Sequence, residues 1–375
     1  MTASSQPKRF LLIDNRSEYF LRNRGPLATY LVESGFEVHV ATFQTRPEDI
    51  RQAKNLGIHF IDLNGTLAGI KALDRIVRTL NPCLAHVFTL KAALLTALVF
   101  LLNRNVPVVI SVTGLGYIYT SRGRKAGAAK LLSNSILRHL VIPRVQKVIF
   151  QNTDDRSYFE TTLGLPTTRS ALIPGSGVDL AKFKYSPPPA GDPEVLFLGR
   201  LLEDKGIREF ADAASLITRS RKDISFTIVG DLDPANPACI RRAELDKWVN
   251  AGAVSWEGYQ ENIPDRIARA SILCFPSYRE GLPKAVIEAS ACGRPTVGTD
   301  APGVREAVED GKTGLLVPVK NAQALAKALS ELLDSPETRE QLGYNARKTA
   351  ENNFDVVAIT KATSDLYRQL GVTAP

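Results

Sequence analysis

The sequence predicts an α/β chain of two doubly wound parallel-sheet domains, and three observations carry that prediction. Short apolar runs alternate with helix-length amphipathic segments through residues 1–173, and a second such series begins at residue 194. Strands separated by helices imply parallel sheets covered on both faces. Between the two series the chain is dense in Gly and Pro, the composition of an inter-domain connection. At 375 residues it is long enough for two full cores. The reading places domains at 1–175 and 194–355, with a linker over 176–193.

Composition bounds the function. A hydrophobic content of 44% and a charged content of 23% describe an ordinary globular chain. The cysteines Cys83, Cys239, Cys274 and Cys292 show no C-x-x-C spacing, which argues against structural zinc and suits a reducing cytoplasm. The start MTASSQPKR lacks the apolar core of a signal peptide. The longest apolar run, 92–102, falls short of the ~20 residues a membrane span needs, and reads as a buried helix. Charge is uneven: residues 1–180 hold 22 Lys and Arg against 12 Asp and Glu, and the remainder 25 against 27. No Asp or Glu occurs between Arg75 and Thr153, where eleven Lys and Arg stand. Such a field attracts anionic membranes, nucleic acid or phosphate-bearing substrates. The aromatic-interleaved basic motifs of RNA binders are missing, so no nucleic-acid partner is expected.

In the first domain, residues 10–13 are a first strand, 14–22 a loop, 24–34 a helix closed by Gly35, and 36–42 a second strand. Strands at 58–61, 84–88, 106–112 and 147–151 continue the series. No G-x-G-x-x-G follows the first strand, which argues against a dinucleotide-binding dehydrogenase. Asn23 to Leu27 open the first helix, where Arg24 reads either as a phosphate or acceptor ligand or as a surface charge. Residues 112–122, VTGLGYIYTSR, follow a buried strand. With Gly114, Gly116 and Tyr117 they suit a ligand crevice, the alternative being a flexible connector. Residues 124–142 form a basic amphipathic helix that fits a membrane surface or a core helix with a charged outer face. Arg122, Lys125 and Lys130 are the acceptor-side cations there. Residues 149–155, IFQNTDD, end a strand and cap the next helix.

In the second domain, a strand at 195–198 ends in Gly199-Arg200-Leu-Leu-Glu-Asp-Lys205-Gly206. Two cations at a strand's carboxyl end neutralise a diphosphate and stabilise it as a leaving group; the alternative is a surface turn. A strand at 224–229 ends in Gly230-Asp231, and Asp231-Leu-Asp233 reads as loop. Another strand, 253–256, exits through Glu257-Gly258-Tyr259. The densest stretch is 271–300, SILCFPSYREGLPKAVIEASACGRPTVGTD: strand, loop, helix, strand. Pro283 takes the first helical position and Gly293 the C-terminal cap. Gly281, Leu282 and Pro283 lead into a helix N-terminus suited to a diphosphate. Glu280 at the loop crest could hold hydroxyls of a transferred sugar, and Glu288 the two hydroxyls of a ribose. Their alternatives are a loop charge and a solvated helix residue. Helices at 322–333, 337–352 and 355–370 close the chain.

Two motifs carry a family resemblance. E-G-L-P-x-x-x-x-E-A-x-A-C-G-x-P-x-V, followed by G-V-R-E-A-V-x-D-G-x-x-G-L-L-V, resembles the donor-site signature of retaining glycosyltransferases of family 4, with Glu280 and Glu288 as its E-x7-E pair. G-R-x-x-x-x-K-G over 199–206 is similar to the same family's phosphate turn. The resemblance implies a GT-B fold, two facing Rossmann-like domains with a central cleft, and a last helix (about 356–375) returning to the first domain. It implies a nucleotide sugar, most often UDP-linked, no metal or cofactor, and retention through attack from the leaving-group face. It lays residues 253–259, with Tyr259, against the nucleotide base; Glu280, Arg200 and Lys205 are the catalytic candidates, and Glu288, Gly199, Gly230, Gly281, Leu282 and Pro283 the other donor-binding ones. Within the family the chain looks most like bacterial enzymes acting on undecaprenyl-diphosphate-linked sugars, through PSYREGLPKAVIEASACGRP, VTGLGYIY and IFQNTDD. The expected partners are a nucleotide sugar, a lipid-linked glycan acceptor and an anionic membrane surface met by the basic first domain. The expected place is the inner face of the cell membrane, peripherally, on the cytoplasmic side. Many members carry a histidine after the fourth or fifth strand of the first domain. Thr113-Gly114-Leu115-Gly116 stands there instead, and His86 is the nearest histidine. An epimerase of related fold and a non-catalytic anion binder are the alternatives.

Overall fold

The computed structural model describes residues 8–63, 66–116, 119 and 123–374. The chain divides into two compact units: Met1–Ser176 with Val356–Pro375, and Gly177–Asp355. Residues 177–193, read as a connection, group with the second unit.

The first unit contains β1 (Arg9–Arg16), α1 (Ser17–Glu33), β2 (Glu37–Gln44), α2 (Pro47–Asn55), β3 (Ile58–Asp62), α3 (Thr66–Leu80), β4 (Leu84–Phe88), α4 (Leu90–Leu102) and β5 (Val108–Val112). It continues through α5 (Arg124–Ile136), a π-helical turn (Leu137–Val141), β6 (Lys147–Phe150), α6 (Thr153–Thr161) and β7 (Ser170–Leu172). All seven strands are parallel, in the order β3-β2-β1-β4-β5-β6-β7. β4 and β5 are buried at every position, because helices cover both faces of the sheet.

The second unit contains β8 (Glu194–Leu198), α7 (Ile207–Thr218), β9 (Ser225–Val229), α8 (Arg242–Asn250), β10 (Ser255–Trp256), α9 (Ile263–Arg269), β11 (Ile272–Phe275) and α10 (Lys284–Ala291). β12 (Thr296–Thr299), α11 (Val304–Ala307), β13 (Gly314–Val317), α12 (Ala322–Asp334) and α13 (Pro336–Asn353) complete it. Its strands are parallel too, in the order β10-β9-β8-β11-β12-β13. Two doubly wound parallel sheets are what the alternation predicts.

Four local expectations are corrected. α1 begins at Ser17, so Arg24 and Pro26 lie inside the helix and do not open it. Proline at a first helical position is the usual pattern, but Phe20, Leu27 and Leu31 bury one face of α1, and that packing absorbs the hydrogen bond Pro26 lacks. The segment 124–142 is no uniform helix: α5 gives way at Leu137 to a π turn. Pro283 precedes α10 in extended conformation (φ −72°, ψ 115°), while Gly293 does close it, at φ +78°. Finally, α4 is not wholly buried: Leu98 and Leu102 are 54% and 62% exposed.

The last helix, α14 (Val356–Gln369), belongs to the first unit. Its Tyr367 is 1% exposed and packs 5.3 Å from the Phe10 ring centroid. The Tyr367 hydroxyl lies 2.5 Å from His86 Nδ1, and the Ser111 hydroxyl 2.8 Å from His86 Nε2. Burial, with Arg24 nearby, holds the His86 imidazolium pKa well below 6.5. The ring is therefore neutral in the fold, while the unfolded chain takes up its proton near 6.5. His86's contribution is complete above that pH and is lost as pH falls through it. The stability difference between the protein and its His86→Gln variant is accordingly expected to shrink by up to about 1.4 kcal/mol per pH unit below 6.5. Asp14, whose carboxyl burial pushes up to about 6, acts in the opposite sense but is common to both proteins. Denaturant midpoints at neutral and mildly acidic pH check this; a pH-independent difference would refute it.

Candidate active site

The strand order of the second unit reverses between β8 and β11, and ligands of open parallel sheets bind outside the carboxyl ends of the strands at such a point. Two loops flank it, residues 199–206 after β8 and 276–283 after β11. They are locked together by backbone. Gly206 is left-handed at φ +71°, and a Cβ there would lie 2.1 Å from the Pro276 carbonyl oxygen. The neighbouring strand end is as tight: Gly230, at φ +137°, would bring a Cβ 1.9 Å from the Gly199 oxygen. Tyr278 N–H donates to the Asp204 carbonyl at 2.9 Å, and the Thr299 hydroxyl donates to the Ser277 carbonyl.

This packing brings Lys205 and Glu280 together. The Lys205 ammonium donates to Glu280 Oε1 at 2.5 Å, and the side chains are only 20% and 14% exposed. The Ser277 hydroxyl sits 2.7 Å from the same oxygen and 3.1 Å from the Asp204 carbonyl. Glu280 N–H donates to the Pro302 carbonyl at 2.9 Å, which holds the loop crest against the start of the next loop. A half-buried, hydrogen-bonded charge pair is stronger and better oriented than a surface one. Glu280 is therefore no solvated loop charge.

Arg200 does not join this pair. Its guanidinium donates to Asp233 Oδ2 at 2.9 Å, because Arg200 directly follows β8 and abuts the end of β9, whereas Lys205 lies further along, against the β11 loop. Asp231 Oδ1 accepts from Tyr259 N–H at 3.1 Å, and the Tyr259 side chain is 65% exposed. The Asp231–Asp233 segment is a loop, as read. Among the described residues no group of three His, Cys, Asp or Glu is placed to hold a metal ion.

Gly281, Leu282 and Pro283 lead into the N-terminus of α10, which carries partial positive charge. One turn inside lies Glu288, 2% exposed among Val286, Ile287, Ala289 and Ala291. A carboxylate so placed is not a solvated helix residue. Tyr278 donates its hydroxyl to Glu209 Oε1 at 2.7 Å, and the Lys320 ammonium stands 4.8 Å from its ring centroid. Ser277 escaped the sequence reading, since a serine after Pro276 reads as a strand stop. Only the register of the β8 and β11 loops shows its role.

The first unit has its own reversal, between β1 and β4. Arg24 lies there, its guanidinium 4.8 Å from the Phe88 ring centroid and beside Asp14, which is 5% exposed at the end of β1. Burial depresses the Arg24 pKa and Asp14 opposes that, so Arg24 is an enclosed charge and not a surface one. Asn15 donates to the Thr89 hydroxyl across the same point at 2.6 Å. The sequence puts Asp14 and Asn15 in a loop, whereas β1 runs through both to Arg16; the abrupt change from apolar run to Asp-Asn is the signal that marks them. Gly114 and Gly116 follow β5 at φ +115° and +75°. The Lys130 ammonium stands 5.4 Å and 5.5 Å from the Tyr119 and Tyr158 ring centroids. Tyr117 and Arg122 lie outside the described residues, and of Lys125 only the backbone is described.

Residues 180–349 match the sequence family described as glycosyl transferases group 1, and residues 9–152 match glycosyl transferase 4-like. The N,N'-diacetylbacillosaminyl-diphospho-undecaprenol alpha-1,3-N-acetylgalactosaminyltransferase of Campylobacter jejuni is 32% identical over 252 residues, 64% of this chain and 64% of that protein. The alpha-D-kanosaminyltransferase of Streptomyces kanamyceticus is 33% identical over 186 residues, 48% of this chain and 46% of that one. The chain thus spans about half to two thirds of the length of these relatives. Among solved structures, HepE of Anabaena in complex with UDP and glucose superposes with a TM-score of 0.81 at 18% identity, covering 96% of this chain and all of that one. Sucrose-phosphate synthase of Thermosynechococcus elongatus superposes with a TM-score of 0.78 at 23% identity, covering 97% of this chain and 99% of that one.

Proposed function

The chain belongs to the GT-B glycosyltransferases, with a 4-like first domain and a group 1 second domain, and from that premise we propose that it moves a hexose or N-acetylhexosamine from a UDP-sugar to a lipid-linked glycan. The observation that carries the reading is the Lys205–Glu280 pair at the β8/β11 reversal, with buried Glu288 one turn inside the helix that follows, α10. The diphosphate is taken to lie at the N-terminus of α10, its charge met by the helix end and by Lys205. Glu280 receives sugar hydroxyls and Glu288 the ribose diol. Arg200, held by Asp233, stands at the outer end of the same turn as a second cation for the diphosphate.

The step we assign retains the donor's configuration. The bond from the anomeric carbon to the diphosphate oxygen breaks, and the acceptor oxygen bonds to the same face. The acceptor's proton passes to the departing phosphate. The negative charge that grows on that phosphate is what Lys205 stabilises, more in the transition state than in the ground state. No metal is required by this scheme. The Campylobacter relative, named for a diphospho-undecaprenol acceptor, supports a lipid-linked acceptor, and the UDP complex of HepE supports UDP. We place the reaction in surface polysaccharide or glycoconjugate synthesis, at the inner face of the cell membrane. Among the described residues no helix is long and apolar enough to cross it. Both curated relatives are transferases and the second domain matches glycosyl transferases group 1, which does not favour the epimerase reading.

The test is UDP release from a panel of UDP-sugars, with and without a membrane extract containing lipid-linked acceptors. Release from one donor, stimulated by the extract, is the expected result. Release from none of them, with turnover of a GDP- or ADP-sugar instead, would overturn the UDP assignment. Silence with every nucleotide sugar would overturn the transferase reading.

A further inference from the structure

α4 is LKAALLTALVFLL, with Lys91 and Thr96 as its only polar residues. A helix apolar all round belongs inside a protein. This one buries Ala92, Ala93, Ala97, Val99 and Phe100 against the sheet, yet leaves Leu98 and Leu102 54% and 62% exposed. At spacings of seven and eleven from Lys91, these two leucines share its outward face. α4 packs against α3 and against α5 with its π turn. On α5, Leu131 and Leu132 are 73% and 63% exposed. Four large leucines therefore stand in water on neighbouring helices, which calls for a cover.

Charge decides which cover fits. Lys91 on α4, Arg104 just past its end and Arg138 in the π turn are exposed, as are Lys71 and Arg75 on the adjoining α3, where Arg78 pairs with Asp74 at 3.0 Å. From Arg75 to Thr153 the sequence has no carboxylate, so Lys91, Arg104 and Arg138 have none on their own elements to answer them. A second copy docked by two-fold symmetry would set this cationic face against itself. An anionic lipid surface presents the opposite: phosphates for the cations and, just beneath, acyl chains for the leucines.

We propose that the outer face of α4 and α5 is a lipid-docking surface, with Leu98, Leu102, Leu131 and Leu132 entering the acyl boundary of an anionic monolayer. Lys91, Arg104 and Arg138 meet its headgroup phosphates. The inference deepens the lipid-linked acceptor reading and takes its biological sense from it, while the surface itself is argued from exposure and charge.

Co-sedimentation of the full chain tests it, using vesicles of phosphatidylglycerol and phosphatidylcholine in equal parts and vesicles of phosphatidylcholine alone. The protein is expected to bind the anionic vesicles. A combined L98S, L102S, L131S and L132S variant is expected to bind about tenfold or more weakly, with UDP affinity and unfolding midpoint unchanged. Part of the wild-type binding should survive about 0.5 M salt, which screens the cations and not the leucines. Equal binding by the leucine variant, or complete loss of wild-type binding in that salt, would overturn the proposal. So would a dimer that the leucine changes dissociate, since a second copy would then be the cover. Vesicle binding that depends on the leucines, in a protein that glycosylates no lipid-linked acceptor, would leave the docking surface standing and remove the acceptor reading alone.

Discussion

Lys205→Ala is expected to lower kcat about 10²- to 10³-fold while changing UDP affinity by about fivefold or less. The Lys205 ammonium is fixed 2.5 Å from Glu280 Oε1, with 20% of its side chain exposed. It cannot retreat, because the next residue, Gly206, packs its backbone against Pro276 with no room for even a Cβ. A cation held so rigidly acts on charge that develops during bond breaking without reorganising for it. Removing one such group typically raises the barrier by about 3–4 kcal/mol. In the proposed ground state the diphosphate charge is shared with the α10 N-terminus, so binding should fall far less. Lys205→Arg should recover only part of the rate, since a planar fork does not reproduce a point charge at that position. Steady-state kinetics beside calorimetric UDP affinities separate the two effects. Equal losses in both would mean that Lys205 binds donor and transition state alike, and the leaving-group role would be gone.

The same pair shows how far sequence could lead. The loops at 199–206 and 276–283 are local objects: an apolar run, punctuation by Gly and Pro, then an amphipathic helix. Their place at strand ends was therefore readable. That Lys205 would meet Glu280 while Arg200 turned to Asp233 was not. It depends on strand order, which sets β9 on one side of β8 and β11 on the other. Arg24 shows a longer reach. The polar cluster enclosing it includes His86 and Tyr367, 281 positions apart and joined only by the return of α14. The start of α1 differs for another reason: residues 14–22 carry no apolar run that marks a helix, yet burial of Ser17 and Phe20 draws the helix back to Ser17. In α4 the composition promised burial, and only the fold reveals an outer face left in water.

Glu288→Gln is expected to weaken UDP binding about tenfold to a hundredfold, with kcat at saturating donor within a few-fold of wild type. Glu288 is 2% exposed inside α10, so exchanging its carboxylate for an amide of the same shape changes charge and hydrogen-bonding atoms while keeping the packing. In the proposed role a ribose diol donates two hydrogen bonds to this carboxylate, each worth about 1.5–3 kcal/mol when the acceptor is charged. Glutamine keeps the shape but turns an N–H₂ toward one of the hydroxyls, so about one such bond is lost. The wild type should therefore discriminate against 2′-deoxy-UDP, and the variant should discriminate far less. Calorimetric affinities for UDP and 2′-deoxy-UDP on both proteins complete the cycle. If the variant bound UDP as tightly as the wild type, the ribose assignment would be lost. Glu288 would then be a buried structural carboxylate, whose removal registers in the unfolding midpoint and not in the donor.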